Sequence, residues 1–237
     1  MKRTILIGGA RAQKLPSLVM EYSIRRRTKA ELKILHSYDW VCPEPHTPAL
    51  RSRTGFSFVR FMLPSLAEFE GIGLYTDSDM MVLDDIEKLF SIPFEDATVL
   101  RPTNLASVLL VDCAKARWLV SRVLEDLDRA KYTYERLMQS LCIEPPQNVR
   151  CAIPNGWNAL DRYDERTTKL VHFTDMSRQP WRVEGHPLTW LWKGELRDAI
   201  KAGAIPWSTV AEELELGHVI PSCVLPRVES SDGVPLA

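Results

Sequence analysis

Residues 71–83, GIGLYTDSDMMVL, decide how the rest of the chain is read. A short apolar run, residues 72–75, leads into two aspartates one residue apart, and a second apolar run follows. Apolar runs of this length, opened by glycines, read as a buried strand. Side chains alternate faces along a strand, so Asp77 and Asp79 are expected to project the same way if extended backbone continues through Ser78. Two carboxylates that close repel and raise each other's pKa unless a cation lies between them. Oxygen ligands at a strand end suit Mg2+ or Mn2+, ions that keep waters and bind phosphate oxygens. The plainer alternative is a turn after a strand, where aspartates are common.

Working outward, residues 4–7 predict a short strand that ends at Gly8 and Gly9. Glycines there let backbone approach a ligand, or simply turn. No GxGxxG follows, so a dinucleotide fingerprint is absent. Leu15, Leu18, Val19 and Tyr22 keep the spacing of an amphipathic helix with Pro16 in its first turn. Residues 32–36 predict a second strand, and this β-α-β opening favours a parallel sheet. Prolines within 40–55 mark a loop. Phe58, Phe61, Met62, Ser65, Leu66 and Phe69 outline one face of a helix that Pro64 kinks or splits. Arg60 stands off that stripe, free to be solvated or to face a ligand.

Downstream, residues 84–90 predict a short acidic-capped helix, and 98–101 and 107–111 two strands. Helices are expected around 120–127 and 131–141. Residues 169–173 form a strand with His172 at its end, and Leu188 through Ala199 a helix closed by Gly203. Val210 and Leu214 lie on a short acidic helix, a poor anchor for anionic membrane. Strands and helices alternate, which argues for one α/β domain over residues 1–220 and a flexible tail over 221–237.

Composition narrows the function classes. Among the 237 residues, 45% are hydrophobic and 26% charged, the balance of a soluble globular protein. A net charge of −1 leaves no footprint for nucleic acid. Arg25, Arg26 and Arg27 read as a solvated helix end. No apolar run approaches the ~20 residues that span a bilayer, so no transmembrane segment is expected. Gly8 breaks the first apolar run too early for a signal peptide. Five widely spaced cysteines without a CxxC read as reduced thiols of a cytoplasmic protein.

The segment 56–90, FSFVRFMLPSLAEFEGIGLYTDSDMMVLDDIEKLF, resembles GT-A glycosyltransferases of the family-8 kind, which include glycogenin and bacterial galactosyltransferases. Arg60 and Pro64 match its R-x-x-x-P helix, Asp77 and Asp79 its D-x-D strand end. Val82, Asp85, Ile86 and Leu89 match the helix that follows. Residues 170–181, LVHFTDMSRQPW, resemble the family's H-x-x-G-x-x-K-P-W block, and Trp157-Asn158 the W-N pair before it. The chain is thus similar to a diverged member. The resemblance implies an α/β GT-A (Rossmann-like) fold, with a mixed, mostly parallel central sheet flanked by helices. It implies a transferase that moves a hexose or deoxyhexose from a UDP-sugar to a hydroxyl of a glycan acceptor, with retention.

By the same resemblance Asp77, Asp79 and His172 hold Mn2+ or Mg2+ beside the donor diphosphate, and Asp79 and Arg60 serve catalysis. Gly8, Gly9 and Ala10 border uracil and ribose, and Ser78 and Arg60 join the donor contacts. Three positions depart from the pattern. Asp175 stands at the family's glycine, Gln179 at its lysine, and the acidic block is not recognisable. Arg178 is then the replacement cation, Ser107 the sugar-contacting residue of its strand, and Glu135 the carboxylate nearest in order to the missing block. Trp157 and Trp181 are candidates to line the acceptor side, and Trp192 is read as core. Two alternatives stay open: a haloacid-dehalogenase-like phosphatase with Asp77 as nucleophile, and an inactive nucleotide-sugar-binding module.

Overall fold

The computed structural model describes residues 1–51 and 54–224. Strand β1 (Arg3–Gly8) is followed by helix α1 (Lys14–Arg25) and strand β2 (Lys33–His36), which lies parallel to β1 with Ile5 opposite Ile34. A 3-10 segment, Ser57–Met62, and the single turn α2 (Leu63–Leu66) lead into β3 (Ile72–Asp77), parallel to β1 on its other side. There follow β4 (Met80–Val82), α3 (Glu87–Phe90), β5 (Val99–Leu100), β6 (Val108–Asp112), α4 (Val120–Asp128) and α5 (Tyr134–Ser140). The order closes with β7 (Val149–Arg150), β8 (Ala159–Leu160), β9 (Leu170–His172), α6 (Thr189–Lys201), α7 (Trp207–Glu215) and α8 (Pro221–Val224).

The main sheet has the order β2-β1-β3-β6-β5-β7. Strand β6 is antiparallel to β3 and β5, and the other pairings are parallel, so β6 alone runs against the rest. This is the mixed, mostly parallel sheet expected. Its apolar runs are continuous because both faces are covered. Leu6, Tyr75, Leu109 and Val111 turn to one hydrophobic cluster, while Ile5, Ile7, Leu74 and Leu110 turn to the other. A third cluster joins Leu15 and Val19 of α1 to Met81, Val171, Trp181, Trp192 and Leu196, which seats the C-terminal third against the first helix. Trp192 is core, as expected.

Several local expectations are corrected. The helix over 58–69 is a 3-10 run plus one α turn, and it stops where Glu68 and Phe69 take φ values of 58° and 56°. Arg25 and Arg26 are exposed at the helix end, as expected, but all three arginines are paired and Arg27 is half-buried. Arg25 pairs with Glu21, Arg26 with Asp198, and Arg27 makes a two-pronged bond to the buried Glu195 at 2.7 and 2.9 Å. Those contacts tie α6 to the end of α1. The expected tail starts as α8, with Cys223 buried; its residues 225–237 lie outside the described ones. All five cysteines are free thiols. Among the described residues no helix is long and apolar enough to cross a membrane.

Candidate metal centre

The two aspartates do not share one strand. Strand β3 ends at Asp77, which sits opposite Gly8 at the end of β1. The Ser78 N–H donates to the Gly8 carbonyl at 2.8 Å, and the chain then leaves the main sheet. With β4 it enters a second sheet of order β4-β9-β8, in which Met80 lies opposite His172. The Phe173 N–H donates to the Asp79 carbonyl at 2.9 Å. Asp77 therefore closes one sheet, while Asp79 and His172 open the other. Their ligand atoms converge to within 4.8 Å of one another.

The three side chains are held differently. Asp77 Oδ1 accepts from the Tyr75 hydroxyl at 2.6 Å and lies 3.7 Å from Arg60 Nη2. Burial, reinforced by the charge of Asp77, pushes the Tyr75 hydroxyl well above its ordinary pKa, so it stays a donor. Asp79 Oδ2 accepts from Gln179 Nε2 at 3.0 Å. Asp79 Oδ1 is buried with no hydrogen-bond donor and faces His172 Nε2 at 3.3 Å.

The imidazole tautomer follows from the bonds behind it. Asn158 Nδ2 lies 3.2 Å from the Leu105 carbonyl oxygen, which only accepts, so the amide nitrogen must face that way. Asn158 Oδ1 then faces His172 Nδ1 at 2.9 Å and accepts its N–H. In the neutral ring Nε2 is left as a lone pair aimed at the lone pairs of Asp79 Oδ1. Two such acceptors at that distance need a shared proton or a cation. Burial raises the Asp79 carboxyl pKa, with His172 only partly opposing it. Burial would lower His172, but the neighbouring Asp79 outweighs it and holds its pKa above the ordinary value. Two carboxylates and one imidazole with an orphaned buried oxygen fit a hard divalent cation such as Mg2+ or Mn2+.

No family model matches the chain, and no curated protein does. Solved structures do match in fold. Glycosyltransferase GlyE of Streptococcus pneumoniae TIGR4 aligns at 17% identity over 92% of this chain and 64% of its own, with a TM-score of 0.61. The bifunctional glycosyltransferase WbbM aligns at 11% over 90% of this chain and 51% of its own, TM-score 0.60. The galactosyltransferase LgtC, solved with donor and acceptor sugar analogs, aligns at 15% over 92% of this chain and 100% of its own, TM-score 0.57. The chain has the GT-A glycosyltransferase fold. It spans less than two thirds of the GlyE chain and about half of the WbbM chain.

On the GT-A framework the expected residues distribute unevenly. Arg60 is buried, with Nε donating to the Ser57 carbonyl and Nη1 to the Ala106 carbonyl, and its guanidinium lies 4.8 Å from the Tyr75 ring centre. It is an internal residue facing Asp77, not a solvated one. Gly8 and Gly9 are needed by the protein itself. A Cβ on Gly8 would sit 2.4 Å from the Tyr75 hydroxyl oxygen, and one on Gly9 2.5 Å from Ser78 Oγ. Gly9 N–H and C=O are both engaged by Ser37. Ala10 is exposed beside them, and Ser78 is fully buried.

Ser107 is buried next to Ala106, in the turn just before β6. Arg178 lies exposed in the turn after β9, its N–H bonded to the Asp175 carbonyl. Glu135 is exposed in the first turn of α5 and is not among the three converging ligands. Trp157 and Trp181 do not line an open face: they are 5% and 1% exposed, and Trp181 packs on Phe173 and Trp192. Their large apolar area is spent inside the core. The supporting residues Tyr75, Asn104, Asn158 and Gln179 had no assigned role in the sequence. Tyr75 lies two residues from Asp77 on the same strand face, and Asn158 and Gln179 fall in the blocks that resemble the family, but none of these signals names a role.

Proposed function

We propose that residues 1–220 form a metal-dependent glycosyltransferase domain. It moves a hexose or deoxyhexose from a UDP-sugar to a hydroxyl of a glycan acceptor, with retention of configuration, in the cytoplasm. The observation that carries the reading is the buried convergence of Asp77, Asp79 and His172, with Asp79 Oδ1 lacking a donor. It lies at the C-terminal ends of parallel strands β1 and β3, where open α/β sheets bind ligands. The GT-A fold and the five free thiols are consistent with it.

Mn2+ or Mg2+ bound to these side chains would supply the positive charge that a departing nucleoside diphosphate requires. The rest falls to the protein. Asp77 is oriented by the Tyr75 hydroxyl and Arg60. Asn158 accepts the His172 Nδ1–H and so turns Nε2 toward the site, and its Nδ2 also bonds Asn104 Oδ1 at 3.0 Å. Gly8, Gly9 and Ala10 border the donor from the adjoining strand end, with the fully buried Ser78 behind Gly9 rather than in contact with the donor. Ser107 and Arg178 take its sugar and phosphate sides, and Glu135 stands in for the family's catalytic acidic block. The acceptor hydroxyl can pass its proton to a leaving phosphate oxygen, so no further base is required.

The test is calorimetric titration with UDP and a panel of UDP-sugars, with and without Mn2+. Metal-dependent binding that disappears in Asp77→Ala is the expected result, and the best-bound sugar names the donor. No uridine nucleotide binding in the presence of Mn2+ would refute the reading. Tight UDP binding without transfer or hydrolysis would identify a binding module instead.

A further inference from the structure

Gln179 stands where the resembled family carries a lysine, and it is 1% exposed. Its Nε2 lies 3.0 Å from Asp79 Oδ2 and 3.1 Å from the carbonyl oxygen of Phe173. A main-chain carbonyl only accepts, so the edge of the amide turned to Phe173 is its nitrogen. The second N–H of that nitrogen is then directed at Asp79. Turning the amide round would set one oxygen against two acceptors. Phe173 is itself anchored, because its own N–H donates to the Asp79 carbonyl at 2.9 Å. Gln179 thus closes a small ring of bonds between the strand end at residue 173 and the aspartate.

We infer, on the reading of Asp77, Asp79 and His172 as a metal centre, that Gln179 is a positioning residue that decides which oxygen of Asp79 meets the ion. The amide holds Oδ2, so Oδ1, which faces His172 Nε2 and has no donor, is the oxygen presented for coordination. Asp79 is therefore a one-oxygen ligand, which leaves more of the coordination sphere open. Outer partners of this kind tune affinity without touching the metal.

The test is Mn2+ binding without nucleotide, followed by electron paramagnetic resonance of the free aquo ion. Wild type, Gln179→Met and Asp79→Ala are compared, with melting curves for each. Gln179→Met keeps length and loses the donor, and its Mn2+ affinity is expected to fall about 10- to 100-fold with little change in melting temperature. Wild-type affinity in a folded Gln179→Met overturns the inference alone. Absence of Asp79-dependent Mn2+ binding in the wild type overturns both it and the metal reading beneath it. A measurement on the unaltered protein decides the matter if the variant does not fold. The Gln179 side-chain amide protons are expected to exchange at least about tenfold more slowly than those of the exposed Gln139 and Gln147, both being directed at buried acceptors. Equal exchange rates would contradict the geometry.

Discussion

Two aspartates flank strand β4, and they live in opposite circumstances. Asp84, just beyond its end, accepts from the Asp85 N–H at 2.8 Å and from Lys88 Nζ at 2.7 Å, and its other oxygen meets Lys169 Nζ at 3.1 Å. Burial works against its charge, but Lys88, the Asp85 amide and Lys169 prevail and bring its pKa down to about 2. Asp79, just before β4, is more deeply buried, meets no lysine or arginine among the described residues, and has its pKa raised by that burial. One carboxylate is neutralised by the protein and holds the β4–α3 corner to the start of β9. The other is left short of a cation at the mouth of the strands. A carboxylate that the fold declines to neutralise is where a ligand is to be sought.

Replacing the functional member gives the largest effect. Asp79→Ala is expected to lower transfer by a hundred- to a thousandfold or more. Its melting curve should stay close to wild type, because a buried charge short of a partner stabilises little. Retained turnover with saturating Mn2+, measured by release of UDP, would erase the contrast between the two aspartates. Next comes the imidazole support. Asn158→Leu removes the acceptor that sets the His172 tautomer and is expected to weaken Mn2+ binding by about 10- to 100-fold. Titration of the variant checks it, and unchanged affinity would mean that Nε2 does not ligate.

Smaller effects belong to the scaffold side. Gly9→Ala places a methyl 2.5 Å from Ser78 Oγ and should cost about 1–3 kcal/mol, read by urea denaturation. The double variant with Ser78→Gly should recover much of it. Asp84→Asn should destabilise by roughly 1–2 kcal/mol at neutral pH with Mn2+ affinity intact. A carboxyl with a depressed folded pKa stabilises above its unfolded pKa, near 4, and that contribution is lost as pH falls toward about 2. The gap between wild type and Asp84→Asn should therefore close across that window. A gap that persists at pH 2 would show that the charge is not its cause.

The main sheet was legible because its strands are covered on both faces, so residues 4–7, 72–75 and 107–111 stand out as uninterrupted apolar runs. The small sheet was not. Strand β8 is two residues long, and β9 pairs with β4 only through the tertiary arrangement. The aspartates were found from spacing, yet for an incomplete reason: they converge where two sheets meet, not along one strand. His172 was reached by resemblance, while Asn158 and Gln179 act through amide bonds to carbonyl groups that leave no spacing in a sequence. Arg60 was placed off the apolar stripe because a helix was assumed. The 3-10 geometry turns it inward, onto Tyr75 and toward Asp77. Trp157 and Trp181 are a plain reminder that an aromatic side chain carries no label for core or surface.

The most direct measurement is a crystal structure with Mn2+, using anomalous scattering to locate the ion. One strong peak is predicted roughly 2 Å from a carboxylate oxygen of Asp77, from Oδ1 but not Oδ2 of Asp79, and from Nε2 of His172. A peak elsewhere, or none with the three side chains ordered as described, would contradict the metal centre and the transferase reading built on it.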